Sequence, residues 1–218
     1  MSTTTTHLTT PPAPWKSDLL SHLTHMPSPE FVLATLHPSS KSPTPVPTTT
    51  PTTPSSTPYL PRLRYCIYRG MWGELPENKH NTAPKNPRVY ESEMPTFTTD
   101  VRMEKVPELF ASSAGKAEKE EQVQGSGGGG PCEAAFWIKE TGTQWRMKGT
   151  AWVVGQDIEG EGTSGVRTVK SEVGRRMRIV DEEKAEKGEW SWEKELTAHF
   201  GNCSPGMRGR SSPLFPSE

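Results

Sequence analysis

The sequence predicts a mainly β domain with flanking helices, an α+β chain whose strands form a small barrel. Three observations carry this. Short apolar or alternating runs of strand length occupy the middle of the chain, at 31–36, 63–69, 95–99, 133–139 and 144–154. Bounded by turn residues, such runs are strand signals. The longer helical patterns lie toward the two ends, at 15–26 and 189–200. Finally, 22 Pro, 19 Gly and only 31% hydrophobic residues among 218 supply too little apolar surface for one uniform globule. The core must therefore be concentrated in part of the chain.

Taken in order, residues 1–11 are Thr-rich and are expected to be disordered. Trp15, Leu19, Leu23 and Met26 recur at helical spacing, with Pro14 suited to the first helical position and Pro27 to the stop. The run 31–36 is apolar with Val and Thr, hence a buried strand. Segment 37–61 is dominated by Pro, Thr and Ser and reads as a low-complexity insertion that cannot offset its ordering entropy. Over 63–69 the residues alternate, with Leu63, Tyr65 and Ile67 on one face and Arg64, Cys66 and Tyr68 on the other. Strand 95–99 leads to Asp100, a good N-cap for a short helix carrying Val101, Lys105, Val106 and Leu109. Pro107 is expected to kink or interrupt that helix.

Segment 112–131 runs into the glycine-rich stretch 125–130 and reads as a second insertion, a flexible linker. Strands 133–139 and 144–154 follow, joined by a hairpin-length connection containing Gly142. In the second, Trp145, Met147, Ala151 and Val153 share a face opposite Gln144, Arg146 and Lys148. Trp192, Leu196 and Phe200 make 189–200 an amphipathic helix, and 201–218 is expected to be a flexible tail. One domain over 12–200 results, interrupted at 37–61 and 112–131.

Charge and composition exclude several function classes. Lys and Arg number 25 against 26 Asp and Glu, a net charge of −1, which lacks the basic footprint of a general nucleic-acid binder. No apolar run approaches the ~18 residues of a membrane helix. The N-terminus has neither the basic nor the apolar region of a secretory signal. Cys66, Cys132 and Cys203 form no C-x-x-C pair and suggest reduced thiols in a cytoplasmic setting.

Hydrolase, zinc-protease, Walker and dinucleotide signatures do not occur in a usable context. The stretch 125–130 is too repetitive for a phosphate cradle. His22 and His25 stand at i, i+3, but solvated helix histidines explain them better than a metal does, and the cysteines have no zinc spacing. A better constellation joins Arg64 and Arg69, which bracket one strand, with Thr98-Thr99-Asp100, Arg102 and Lys105. Hydroxyls, guanidinium forks and an ammonium at a strand-to-helix turn are groups that hold a phosphate monoester. Gln144 can offer both donor and acceptor to a polar ring edge.

The order of the motifs narrows this further. W-x-x-x-L-L, F-V-L-A-T-L, R-Y-C-I-Y-R-G, F-T-T-D-V-R-M-E-K, A-F-W-I-K and Q-W-R-M-K-G succeed one another between 15 and 154, followed by W-S-W-E-K-E-L and S-P-G-M-R-G. This order resembles the pyridoxamine 5'-phosphate oxidase-like FMN-binding split barrels, in their broad, less characterised branch. The resemblance implies FMN as cofactor. Its phosphate and ribityl chain would be held by Arg64, Arg69, Thr98, Thr99, Arg102 and Lys105. Its ring would lie along the backbone of the arginine strand, at Tyr65 and Cys66, with Gln144 matching the ring-contacting glutamine. A homodimer with FMN at the subunit interface is also implied. Met103 stands where the family usually has serine. The family continues past S-P-G-M-R-G into a final strand, so the barrel expected here lacks its last strand.

The function expected is therefore that of an FMN-binding protein, a flavin-dependent oxidoreductase acting on an unidentified small molecule. The alternative is a degenerate barrel that binds flavin or another phosphorylated ligand without catalysis and serves as an interaction module. Oxidation of pyridoxine or pyridoxamine 5'-phosphate itself is not expected. The family's name-giving enzyme holds that substrate with Y-x-x-x-R-x-x-x-S and R-x-H, and neither occurs in the corresponding regions. No catalytic residue is singled out.

Overall fold

The first strand, β1 (Glu30–Pro38), is the centre of the main sheet, pairing antiparallel with β2 (Tyr59–Ile67) on one side and β4 (Gly127–Ile138) on the other. Strand β5 (Thr143–Val153) continues the sheet beyond β4, giving the order β2-β1-β4-β5. Two short strands, β3 (Tyr90–Ser92) and β6 (Met177–Ile179), pair separately. Six helices flank them: α1 (Lys16–Leu23), α2 (Lys105–Ala111), α3 (Ser164–Gly174), α4 (Glu182–Glu186), α5 (Trp192–Gly201) and α6 (Pro205–Ser211). This computed structural model describes residues 11–39, 59–113, 125–160 and 163–211. Among them the chain is α+β with a mainly antiparallel sheet that does not close into a complete barrel.

Alternation on β1 sets the two faces of the sheet. Phe31, Leu33 and Thr35 point inward and are buried. With Leu19 and Leu23 of α1, Cys66, Tyr68, Met71, Ala134, Phe136 and Ile138, the first two form the first core, in which the Phe31 and Phe136 rings stack at 4.9 Å. Lys16 of α1, itself buried, is anchored by Glu74 at 2.5 Å. A second core gathers Trp72, Ile158, Val166, Val169 and Val173, with Trp152, Trp190, Trp192 and Leu196 packed against it. The His199 imidazole stacks on Trp72 at 5.5 Å, and its Nε2 lies 3.3 Å from Glu195 Oε1. Glu195 also accepts the Gly73 N–H and an Asn86 amide N–H, each at 3.0 Å, fastening α5 to the loop after β2.

Several expectations are corrected. The glycine stretch read as a linker is the start of β4, and 127–130 are buried. A side chain there has no room: a Cβ on Gly127 would lie 2.5 Å from Phe110, and one on Gly130 would lie 2.6 Å from the Leu109 carbonyl oxygen. Low complexity here marks close backbone packing against α2. The edges of 37–61 are also paired, since His37 and Pro38 lie opposite Leu60 and Tyr59, while 40–58 fall outside the described residues. Of the supposed tail, 205–211 are helical, and 212–218 are not described.

Residues 95–99 form no strand apart from a single bridge at Pro95. They follow 69–71 through Arg69 N–H to the Thr96 carbonyl (2.8 Å) and Thr96 N–H to the Gly70 carbonyl (2.9 Å). Pro14 lies before α1, which starts at Lys16. Pro107 does not break α2, because it occupies the first turn, where its missing N–H has no helical acceptor to lose. Helices α3 and α4 and strands β3 and β6 had no counterpart in the sequence reading.

The packing of β4 on α2 yields a test. Gly130→Ala is expected to cost ~1–3 kcal/mol, because its Cβ meets backbone that cannot swing away. Gly149→Ala on the neighbouring strand, where nothing lies within 4 Å, should stay within ~0.5 kcal/mol. Urea denaturation of the two variants measures the difference.

Candidate functional site

Arg64 and Cys66 sit on the inward face of β2, opposite Leu33 and Phe31 of β1. Helix α2 lies across this end of the sheet and brings Lys105 toward them. The link between residues 95–99 and the helix is an irregular turn over 100–104, so the helix starts at Lys105 and Asp100 is not its N-cap. Asp100 instead folds the turn on itself. Its carboxylate accepts the Arg102 backbone N–H at 2.9 Å and the Arg102 guanidinium at 2.5 Å. These bonds hold the Asp100 carboxyl down at about 2.

Lys105 differs from the other cations here. It is only 7% exposed, and its Nζ donates to Thr99 Oγ1 at 3.1 Å. Among the described residues it forms no ion pair at contact distance. Burial pulls its pKa below the ordinary lysine value, and the Arg64 guanidinium adds to the fall against the opposing Cys66, Glu108 and Asp100. Burial likewise pushes the Cys66 thiol up, while the Lys105 and Arg64 charges oppose that shift. Arg64 is engaged within the chain: Nη2 donates to Glu108 Oε2 at 2.6 Å and Nη1 to Thr35 Oγ1. Arg69, further along, donates to Met207 Sδ of α6 at 3.4 Å, a weak acceptor.

Thus the fold gathers Arg64, Cys66, Thr99 and Lys105, with Thr98 next to Thr99 in the chain and Arg69 running beside Thr96, while Arg102 turns out to solvent on Asp100. It does not bring Tyr65 or Gln144 to them. Tyr65 points to the opposite face of the sheet and is 78% exposed. Gln144 lies on that same outer face, opposite Trp137 and at the far edge strand. Met103, in the place of the serine, is exposed. His22 accepts the Trp145 indole N–H at 3.0 Å, a structural partner for a helix histidine. Thr35 and Glu108, which complete the cluster, were missed from sequence. A threonine inside an apolar strand and a glutamate between Pro107 and Leu109 were the available signals.

A sequence model described as "Pyridoxamine 5'-phosphate oxidase, FMN-binding domain" matches residues 12–155. The chain belongs to this family. No curated protein and no solved structure matches it significantly. FMN is the cofactor of the domain, and the residues present fit its phosphate. A buried ammonium with one neutral acceptor has donors left for an anion, and the Thr99 hydroxyl adjoins it.

The same burial predicts how the flavin-free protein responds to pH. The folded-state pKa of Lys105 lies below its unfolded value near 10.5, so the unfolded chain holds this proton more tightly. Lys105 therefore contributes a rise in stability with pH over the alkaline interval that ends near 10.5. Lys105→Met should remove that contribution and raise the stability of the flavin-free protein at neutral pH. Thermal melts across pH check both outcomes.

Proposed function

We propose that this chain is an FMN-dependent oxidoreductase that works as a homodimer on a small, weakly anionic organic substrate. The observation that carries the reading is the buried, under-satisfied Lys105 ammonium beside Thr99, inside an FMN-binding domain. Bound FMN would supply hydride chemistry to such a site. The chain's own part is to grip the phosphate with Lys105, Arg69 and the hydroxyls of Thr98 and Thr99, and to orient the ring along β2. Arg64 and Arg102 contribute charge in spite of their carboxylate partners.

Dimerisation is supported by the outer face of the sheet. Leu63 is 67% exposed and Trp137 58%, and Tyr59, Tyr65, Val32, Ala34 and Ala135 share their face. A second copy covering this face would remove these apolar side chains from water. A non-catalytic flavin-binding module is the second reading, favoured by the engagement of Arg64 with Glu108 and of Arg102 with Asp100.

Purified protein is expected to show a flavin spectrum and to prefer FMN to FAD, and bleaching by a nicotinamide reductant separates the enzyme from the module. Arg69→Ala and Lys105→Ala should each weaken FMN binding about 10- to 100-fold, the loss of one charge-assisted contact. Arg62→Ala should change it little, and equal losses at all three positions would reduce the site to generic electrostatics. Tyr65→Glu is expected to give a monomer in sedimentation analysis. Pyridoxamine 5'-phosphate should not be turned over efficiently under air.

A further inference from the structure

We propose that Glu108 is a positioning residue that sets how far the charge of Arg64 is available to a flavin phosphate, and so fixes selectivity for phosphorylated over unphosphorylated flavin. The inference rests on the FMN reading above. Glu108 stands three residues after Lys105 on α2 and is 2% exposed. Its Oε2 receives the Arg64 Nη2–H at 2.6 Å and the Thr35 hydroxyl, and that hydroxyl oxygen accepts from Arg64 Nη1. Guanidinium, hydroxyl and carboxylate thus close a ring across β2, β1 and α2. The other oxygen, Oε1, is buried without a hydrogen bond, 3.4 Å from His37 Nδ1.

The ring leaves Arg64 neither free nor withdrawn. Its Nη2 and Nη1 each spend a proton on the ring, and its side chain keeps 20% of its surface exposed. A phosphate can approach the remaining donors, but it does so against a carboxylate already in contact with the same guanidinium. In a low-dielectric surrounding that repulsion is stronger than at a wet surface. Glu108→Gln keeps the shape and one acceptor while removing the charge. The half-buried guanidinium then has no carboxylate partner until an anion arrives. FMN should gain from the change, and riboflavin, which has no phosphate, should not.

The test is a fluorescence titration of FMN and of riboflavin with the wild type, Glu108→Gln, Arg64→Gln and the double variant. The ratio of riboflavin to FMN dissociation constants is expected to rise about tenfold in Glu108→Gln. The same substitution should leave the ratio unchanged once Arg64 is Gln. Where Glu108→Gln does not fold without flavin, Glu108→Asp draws the carboxylate back by one methylene, and a rise of about threefold is expected. A wild type that prefers FMN, with variants of unchanged ratio, overturns the role of Glu108 alone. An equal rise without Arg64 overturns it too, because the carboxylate would then act on the phosphate directly. A wild type with no preference for FMN overturns the phosphate site and this inference together.

Discussion

Helix α2 rests directly on the backbone of β4, because the strand begins with residues that have no side chains. Were Gly127 or Gly130 to carry a Cβ, it would stand within 2.6 Å of Phe110 or of the Leu109 carbonyl. That approach fixes the height and rotation of a helix only seven residues long, with little intrinsic stability of its own. The two charged residues that α2 brings to the candidate site depend on it. Lys105 and Glu108 enter the end of the β1–β2 pair from α2, on the side opposite the solvent-facing Leu63 and Tyr65.

Two kinds of cation result. Arg64 and Arg102 have carboxylate partners supplied by the chain, at 2.6 Å and 2.5 Å. Arg69 and Lys105 have a thioether and a hydroxyl, neither charged. An exposed pair such as Arg102–Asp100 contributes little to stability. A buried ammonium without a counter-charge works against it. The domain therefore carries the Lys105 charge at some cost to its own stability.

The strands of the main sheet were legible because their alternation and β-branched content act locally: 31–36, 63–69, 133–139 and 144–154 all lie in strands or at their ends. Their limits were not legible where tertiary packing overrides composition. Glycines that signal flexibility in isolation become a strand when a helix needs their empty space, and the proline-rich edges at 37–38 and 59–61 are held by each other. Helix α3 was readable in principle, from Val166, Val169 and Val173 at helical spacing, but short acidic and glycine-rich flanks obscured it. At the site, residue types and order pointed to Arg64, Thr99 and Lys105. Which arginine faces which carboxylate is a matter of three-dimensional contact, so Glu108 and Thr35 carried no signal strong enough to find. The same holds for Gln144, which lies at the far edge of the sheet, with two strands between its own and β2, and faces the other way.

The family match ends at 155, but the packing does not. Trp72, Met94, Trp152 and Val154 lie before that limit, and their apolar neighbours Ile158, Val166, Val169, Val173, Trp190 and Trp192 lie after it. The boundary seen in sequence therefore runs through the middle of a core. The segment after 155 is thus one half of a shared interior, and the indoles on either side of that limit stay dry only while both halves are in place.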